Sequence, residues 1–95
     1  MEFEWDEQKN YLNLVKHGFG FSIAERFFKG KVFEKIDNRK NYGEERLIAI
    51  GEVNGEILTM VYTIRNENIY RIISVRRANR NERRTYSTIQ ERHER

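Results

Sequence analysis

An α+β fold is what this sequence predicts: two N-terminal helices, a four-stranded and mainly antiparallel sheet arranged as a meander, and an arginine-rich C-terminal helix. Three observations carry the expectation. Asp6 and Gly18 bracket a stretch of helical composition with a start and a stop signal. Two apolar runs, residues 47–53 and 57–64, flank Asn54-Gly55, a dipeptide that readily takes the positive φ angles of a tight hairpin turn. The last alternating run, residues 69–75, passes directly into Arg76-Arg77-Ala78-Asn79-Arg80-Asn81-Glu82-Arg83-Arg84.

In chain order, residues 3–5 read as a short edge strand, after which Asp6 caps a helix that runs to His17 and stops at Gly18. Ser22 and Glu25 stand in capping-box spacing, and Ala24, Phe27 and Phe28 follow on one helical face, so a second short helix is expected over residues 22–28. Beyond Gly30 the period changes, with a strand over residues 32–36 and a polar loop over 37–44. The hairpin comes next, then a turn at residues 66–68 that returns the chain into 69–75. A final helix runs from about Asn79 into the early nineties, with a polar, frayed end over residues 88–95. Apolar residues on both faces of the later strands predict a sheet covered on one side and partly occupied on the other, by a partner or by the last helix folding back.

Ninety-five residues without proline, repeats or a low-complexity linker make one domain, residues 1–95. Six Phe, five Tyr and one Trp supply much of the apolar area of its core. No cysteine is present, which excludes disulfide frameworks, thiol catalysis and thiolate metal sites, and fits a cytoplasmic protein. No apolar stretch approaches the roughly 20 residues that span a bilayer, so no membrane association is expected. The net charge of +3 hides a polarised chain: residues 76–95 carry seven positive and three negative charges, residues 1–75 eleven and twelve. Such an asymmetry points first to nucleic acid, then to an acidic protein or an anionic surface.

His17, next to Lys16 in the last helical turn, is the first candidate for proton transfer, because the helix end favours its imidazolium and Lys16 opposes it. Its plain alternative is a helix-end side chain bonding free carbonyls. Arg65 and Arg76, near the ends of adjacent strands, suit phosphate by their guanidinium forks, or else are two solvated strand ends. Arg77, Arg80 and Arg84 have the spacing of one helical stripe that could track a polynucleotide backbone. Trp5, Tyr62 and Tyr86 could stack on bases, although core packing suits Trp5 and Tyr62 better. No HExxH, clustered Asp/Glu/His spacing, phosphate-cradling glycine loop or nucleophile elbow occurs, so neither a metal nor a cofactor is expected.

Several ordered fragments resemble one family. They are Phe3-x-Trp5-Asp6-x-x-Lys9, Asn13-x-x-Lys16-His17-Gly18, Phe21-x-x-Ala24 with Phe27, Glu45-Arg46, Ile50-Gly51 and Val61-Tyr62-Thr63-x-Arg65. Arg71-Ile72-Ile73-Ser74-x-Arg76-x-Ala78 and Glu82-Arg83-x-x-Tyr86 complete the set. Together they are similar to the BrnT toxins of type II toxin-antitoxin systems, ribonucleases with a RelE-like fold. The chain departs from the pattern at Lys29-Gly30, where similar proteins often carry Asp-Pro, and at Val75, where they carry a small residue.

The resemblance implies a metal-independent endoribonuclease that inhibits translation and growth. It places Lys16, His17, Arg65 and Arg76 among the family's recurrent polar positions, as catalytic residues. Trp5, Arg77, Arg80 and Arg84, singled out above by residue type and spacing, are the expected RNA-binding residues. It also implies a BrnA-like antitoxin in a two-plus-two complex. The Glu44-Glu45 flank and the basic C-terminal segment both offer charged partner surfaces. The competing expectation is a non-catalytic nucleic-acid- or protein-binding module, a degenerate toxin among them.

Overall fold

A computed structural model describes residues 1–93 of the protein. Its elements are β1 (Glu2–Glu4), α1 (Glu7–His17), a 3-10 turn (Phe21–Ile23), α2 (Ala24–Lys29), β2 (Val32–Ile36), β3 (Leu47–Val53), β4 (Glu56–Arg65), β5 (Ile69–Arg77) and α3 (Arg80–His93). The end expected to fray is helical as far as His93, and its last two residues lie outside the described part.

The strands form one five-stranded sheet in the order β1-β5-β4-β3-β2. The meander β2-β3-β4-β5 is antiparallel as expected. The expected count of four strands is corrected by β1, which pairs parallel with β5 through Glu2↔Ile69, Phe3↔Tyr70 and Glu4↔Arg71 and makes the sheet mixed. A three-residue strand at the chain start carries no signal of its partner or direction; only the tertiary fold brings it to the far edge.

Turn chemistry acts where the sequence placed it. Asn54 and Gly55 take φ angles of 52° and 82° between β3 and β4, a pair of left-handed residues whose twist matches the strands they join. Gly51 answers a different need, because a Cβ there would lie 2.8 Å from Cε2 of Phe27. The bare backbone of β3 is what lets that ring pack closely against the sheet.

Between β4 and β5 the register slips at Val61/Tyr62, since Val61 pairs with Ser74 and Tyr62 with Ile72, leaving Ile73 as an extra residue. This bulge resets the alternation of β5. Val75 and Ile72 therefore share the face of Met60 and Tyr62, and all four are buried in the core with Leu58 and Ala49. Phe21, Ala24 and Phe27 cover that face. Phe28 packs edge-on against both Tyr62 and Tyr70, with ring centroids 5.1 and 5.2 Å apart. The opposite face carries Thr59, Thr63 and Arg76 and is partly covered by α3, through Tyr86 against Phe33 at 5.3 Å.

The second helix differs from the expectation in its start. Ser22 lies inside the 3-10 turn, and neither helical segment has a side-chain cap of its own. The turn is anchored instead by Asn10, whose Oδ1 accepts the Phe21 amide at 2.7 Å. Helix α1 is bound to the sheet by a second asparagine. Asn13 Oδ1 accepts the Val75 amide at 3.2 Å, and its Nδ2 donates to the Val75 carbonyl at 2.9 Å and to that of Phe19 at 2.8 Å. Val75 lies past the end of β1, so Asn13 satisfies the edge of β5 where no strand does.

Replacing Asn13 by Ala leaves the buried Val75 amide and carbonyl without partners. Urea unfolding followed by circular dichroism should show a loss of about 2–4 kcal/mol, far above the few tenths expected for an exposed residue such as Gln8.

Candidate functional site

Helix α1 ends as the sequence requires. Asp6 Oδ1 accepts the amides of Gln8 and Lys9, and Gly18, at φ 81°, donates its amide to Leu14. His17 is thereby held half-buried at the tip of the helix, one turn beyond the Asn13 clamp on β5. Burial, then the charge of Lys16, then that of Arg76, all lower its pKa below 6.5. The opposing effects expected from sequence thus resolve toward the neutral imidazole, which at pH 7 has a free lone pair.

Arg76 projects from β5 toward the start of α3. Its Nη1 and Nη2 donate to the two carboxylate oxygens of Glu82 at 2.8 and 3.0 Å, and Nη1 also donates to the Arg77 carbonyl at 3.2 Å. A guanidinium has five N–H donors. Among the described residues, Nε–H and one Nη2–H, which together form the side-on fork, meet no partner. Glu82 holds the other edge of the group and closes a capping box at the same time. Its carboxylate accepts the Asn79 amide at 2.8 Å, while Asn79 Oδ1 accepts the Glu82 amide at 2.8 Å. Burial opposes ionisation of Glu82, but the hydrogen bonds from Arg76 and the Asn79 amide, with the Arg76 charge, outweigh it and bring its pKa to about 2. Glu82 is therefore a fixed anion and holds no proton for catalysis near neutrality.

Arg76 opens on a cleft of about 560 Å³ lined also by Lys35, Asn38, Arg39 and Asn79. Asp37, at its rim, is neutralised locally. Its carboxylate accepts from Arg39 Nε and Nη2 at 2.8 Å each and from the Tyr42 hydroxyl at 3.3 Å. Chiefly through the Arg39 hydrogen bond, its pKa falls to about 2 despite burial. The cleft thus presents Lys35, Arg39 and Arg76 with both nearby carboxylates engaged. Lys35, Asn38 and Arg39 have no local motif, and the topology alone brings β2 and its following loop opposite Arg76.

The structure brings Lys16, His17 and Arg76 to one end of the sheet and leaves Arg65 at the other. Arg76 pairs with Thr59, and Arg65 stands six residues further along β4, about 20 Å at the strand rise. There Arg65 is exposed, 3.8 Å from Glu44. Arg77 belongs to β5, so it does not continue the helical row of Arg80 and Arg84. It pairs with Glu56 at 3.2 Å and lies over the Phe19 ring at 5.1 Å. Arg80 and Arg84 are exposed on α3. Trp5 packs edge-on against Phe21, and its indole donates to Glu7 at 2.7 Å. Tyr62 is fully buried with its hydroxyl bonded to Glu34, and burial first, then that bond, raises its pKa far above the usual phenol value. It is withdrawn from proton transfer. Among the described residues no group of three or more His, Asp or Glu side chains could hold a metal ion, and no helix is long and apolar enough to cross a membrane.

Three helices on a mixed sheet, with Lys35, Arg39 and Arg76 lining an open cleft, define a small α+β protein with a cationic cleft. The family model described as "Ribonuclease toxin, BrnT, of type II toxin-antitoxin system" matches residues 5–82, and the chain belongs to that family. Its structure is similar to the 1.1 Å crystal structure of the Brucella abortus ribonuclease toxin BrnT, with 34% identity and a TM-score of 0.63. The match covers 84% of this chain and 99% of that one. A search of curated proteins gave no match. Membership in a type II toxin-antitoxin family implies a protein antitoxin as partner.

Glu82→Gln should lower stability at pH 7 by about 1–3 kcal/mol, read from the urea midpoint. The folded-state pKa of Glu82 lies below its unfolded value. Its contribution is therefore present above pH 4.5 and is lost as the pH falls through about 2. The wild-type and Glu82→Gln stability curves should converge at that acid end.

Proposed function

We propose that the protein is a metal-independent endoribonuclease, the toxin of its toxin-antitoxin pair, cleaving RNA by attack of a 2′-hydroxyl on the adjacent phosphate. The observation that carries this reading is the neutral His17 near Arg76, whose side-on fork is open to the basic cleft. In the reaction, His17 takes the 2′-proton as the O2′–P bond forms. The Nε–H and free Nη2–H of Arg76, with Lys16, hold the charge that grows on the phosphorane oxygens. The P–O5′ bond then breaks and the departing 5′-oxygen takes a proton from water. The products are a 2′,3′-cyclic phosphate and a 5′-hydroxyl, and DNA, lacking the nucleophile, is left intact.

Glu82 is a positioning residue in this scheme: it fixes the guanidinium plane, so little reorganisation remains for the moment of reaction. Lys35 and Arg39 extend the cation track along the cleft and suit flanking phosphates. Arg65, about 20 Å away by the strand rise, serves a separate backbone contact, as do Arg80 and Arg84 on α3. Trp5 is a packing residue first, with its exposed edge left for a base. The partner is a BrnA-like antitoxin, assembled two-plus-two with the toxin. The working compartment is the cytoplasm, where cleavage of RNA stops translation and growth. The fold is a RelE-like variant in which a parallel strand closes one edge of the sheet.

These roles separate in kinetics on total RNA or a defined oligonucleotide in excess EDTA. His17→Ala should lower kcat by about 10²–10⁴-fold, and Arg76→Ala by about 10²–10³-fold, with circular dichroism unchanged in each. Arg65→Ala should raise KM and leave kcat within about threefold. Because the base acts in its neutral form and its pKa lies below 6.5, kcat should climb with pH through an acid limb centred below pH 6.5. An acid limb centred above pH 6.5, or wild-type activity in His17→Ala, would contradict the assignment. Tight RNA binding with no cleavage by any variant would instead favour the binding module.

A further inference from the structure

Helix α1 is built inside out. Its sheet-facing side carries Asn10, Asn13 and His17, and its solvent side carries Tyr11, Leu12 and Val15, which are 64, 57 and 68% exposed. At 3.6 residues per turn, Gln8, Tyr11, Leu12 and Val15 form one stripe, the i, i+3, i+4, i+7 pattern that other helices bury. A monomer gains nothing from such a stripe in water, and clustered exposed apolar side chains mark an interface. Lys9 and Lys16, two turns apart, line one flank of the stripe, and both are exposed. Glu7 and Leu14 lie on the other flank, where Glu7 already accepts the Trp5 indole N–H.

From this face we infer the antitoxin docking site: an amphipathic segment of the antitoxin, acidic along one side, lies on the Tyr11/Leu12/Val15 stripe with its acids against Lys9 and Lys16. The inference rests on the toxin reading above. A second copy of the chain fits the same surface poorly. In an antiparallel two-fold pair each flank meets its own copy, which sets Lys9 and Lys16 of one protomer against Lys16 and Lys9 of its partner. A parallel pair offers those lysines only Glu7. RNA is a poor occupant as well, since an aliphatic stripe has no aromatic platform beyond Tyr11. An acidic amphipathic helix satisfies both the apolar stripe and the basic row.

The position of the stripe gives docking a consequence. The stripe adjoins Lys16, so an acidic segment seated on α1 neutralises a lysine that the proposed reaction uses to hold phosphorane charge. Suppression of cleavage then follows from docking without any change of fold. The Glu44-Glu45 flank and the arginines of α3, the charged surfaces visible in sequence, are not needed for it.

The test uses full-length toxin, its purified antitoxin protein, and the variants Leu12→Gln/Val15→Gln and Lys9→Glu, whose altered side chains are exposed. Equilibrium binding, RNA cleavage in EDTA and sedimentation equilibrium are measured on the same samples. The double variant should lose at least 100-fold in antitoxin affinity and Lys9→Glu about tenfold, the latter falling away at high salt. Both should cleave RNA within twofold of wild type, and equimolar antitoxin should no longer suppress the double variant. Affinity within twofold of wild type would overturn the inference. So would a wild-type dimer that the double variant dissociates, or cleavage that falls with the stripe. Should wild type cut no RNA at all, the nuclease reading fails while the binding result still decides the docking surface.

Discussion

Everything at the candidate site hangs on one side chain meeting one strand edge. Strand β1 is three residues long and leaves the outer edge of β5 open from about Ile73 onward. Asn13 closes that edge at Val75 with one acceptor and one donor bond, using an amide where a sheet would use another strand. Because the asparagine sits in the middle of α1, the bond pair also fixes the helix along the sheet and sets His17 near Arg76. A helix anchored by polar contacts has its apolar residues left over. The inverted face of α1 and the placement of His17 are thus two results of a single constraint.

Glu82 plays the matching part on the other side of the cleft. One carboxylate closes the cap of α3 and holds one edge of Arg76, so helix start and guanidinium plane are set together. Its burial would favour protonation, and three donors and a cation overrule it. What remains open on Arg76 is the side-on fork, the edge best matched to two phosphate oxygens. The nearby Asp37 is tied in the same way by Arg39 and Tyr42. A surface with several acids therefore presents a positive cleft, because those acids hold the cations in place from behind.

Local signals were legible and non-local ones were not. Asp6 and Gly18 bounded α1 because a cap and a left-handed stop act within one turn, and Asn54-Gly55 located the β3-β4 hairpin because both residues tolerate positive φ. The bulge at Ile73 could not be read, since an unbroken apolar run looks the same with or without a slipped register. Ser22 and Glu25 had capping spacing yet do not cap, because Asn10, eleven residues upstream, reaches the Phe21 amide first. Asn79 and Glu82 had the same spacing and do cap; that signal lay in the sequence and names the residue that holds Arg76. His17 and Lys16 were singled out as candidates through the helix end. Lys35 and Arg39 were missed because only the return of β2 alongside the sheet brings them to the cleft. Arg77 looked like part of a helical row because nothing local shows that β5 runs two residues beyond Val75.

The chemistry of the cut ends tests the central claim most directly. An RNA oligonucleotide of defined sequence is incubated with the antitoxin-free protein in EDTA, beside the same oligonucleotide carrying a single 2′-deoxy sugar at the cleavage position, and the termini are read by mass spectrometry. Attack by the 2′-hydroxyl predicts a 2′,3′-cyclic phosphate and a 5′-hydroxyl from the first substrate and no cut at the deoxy position in the second. A 5′-phosphate end, cleavage at the deoxy position, or activity that vanishes in EDTA would contradict the account, because water or a metal-bound nucleophile would then be doing what the 2′-hydroxyl and His17 are assigned here.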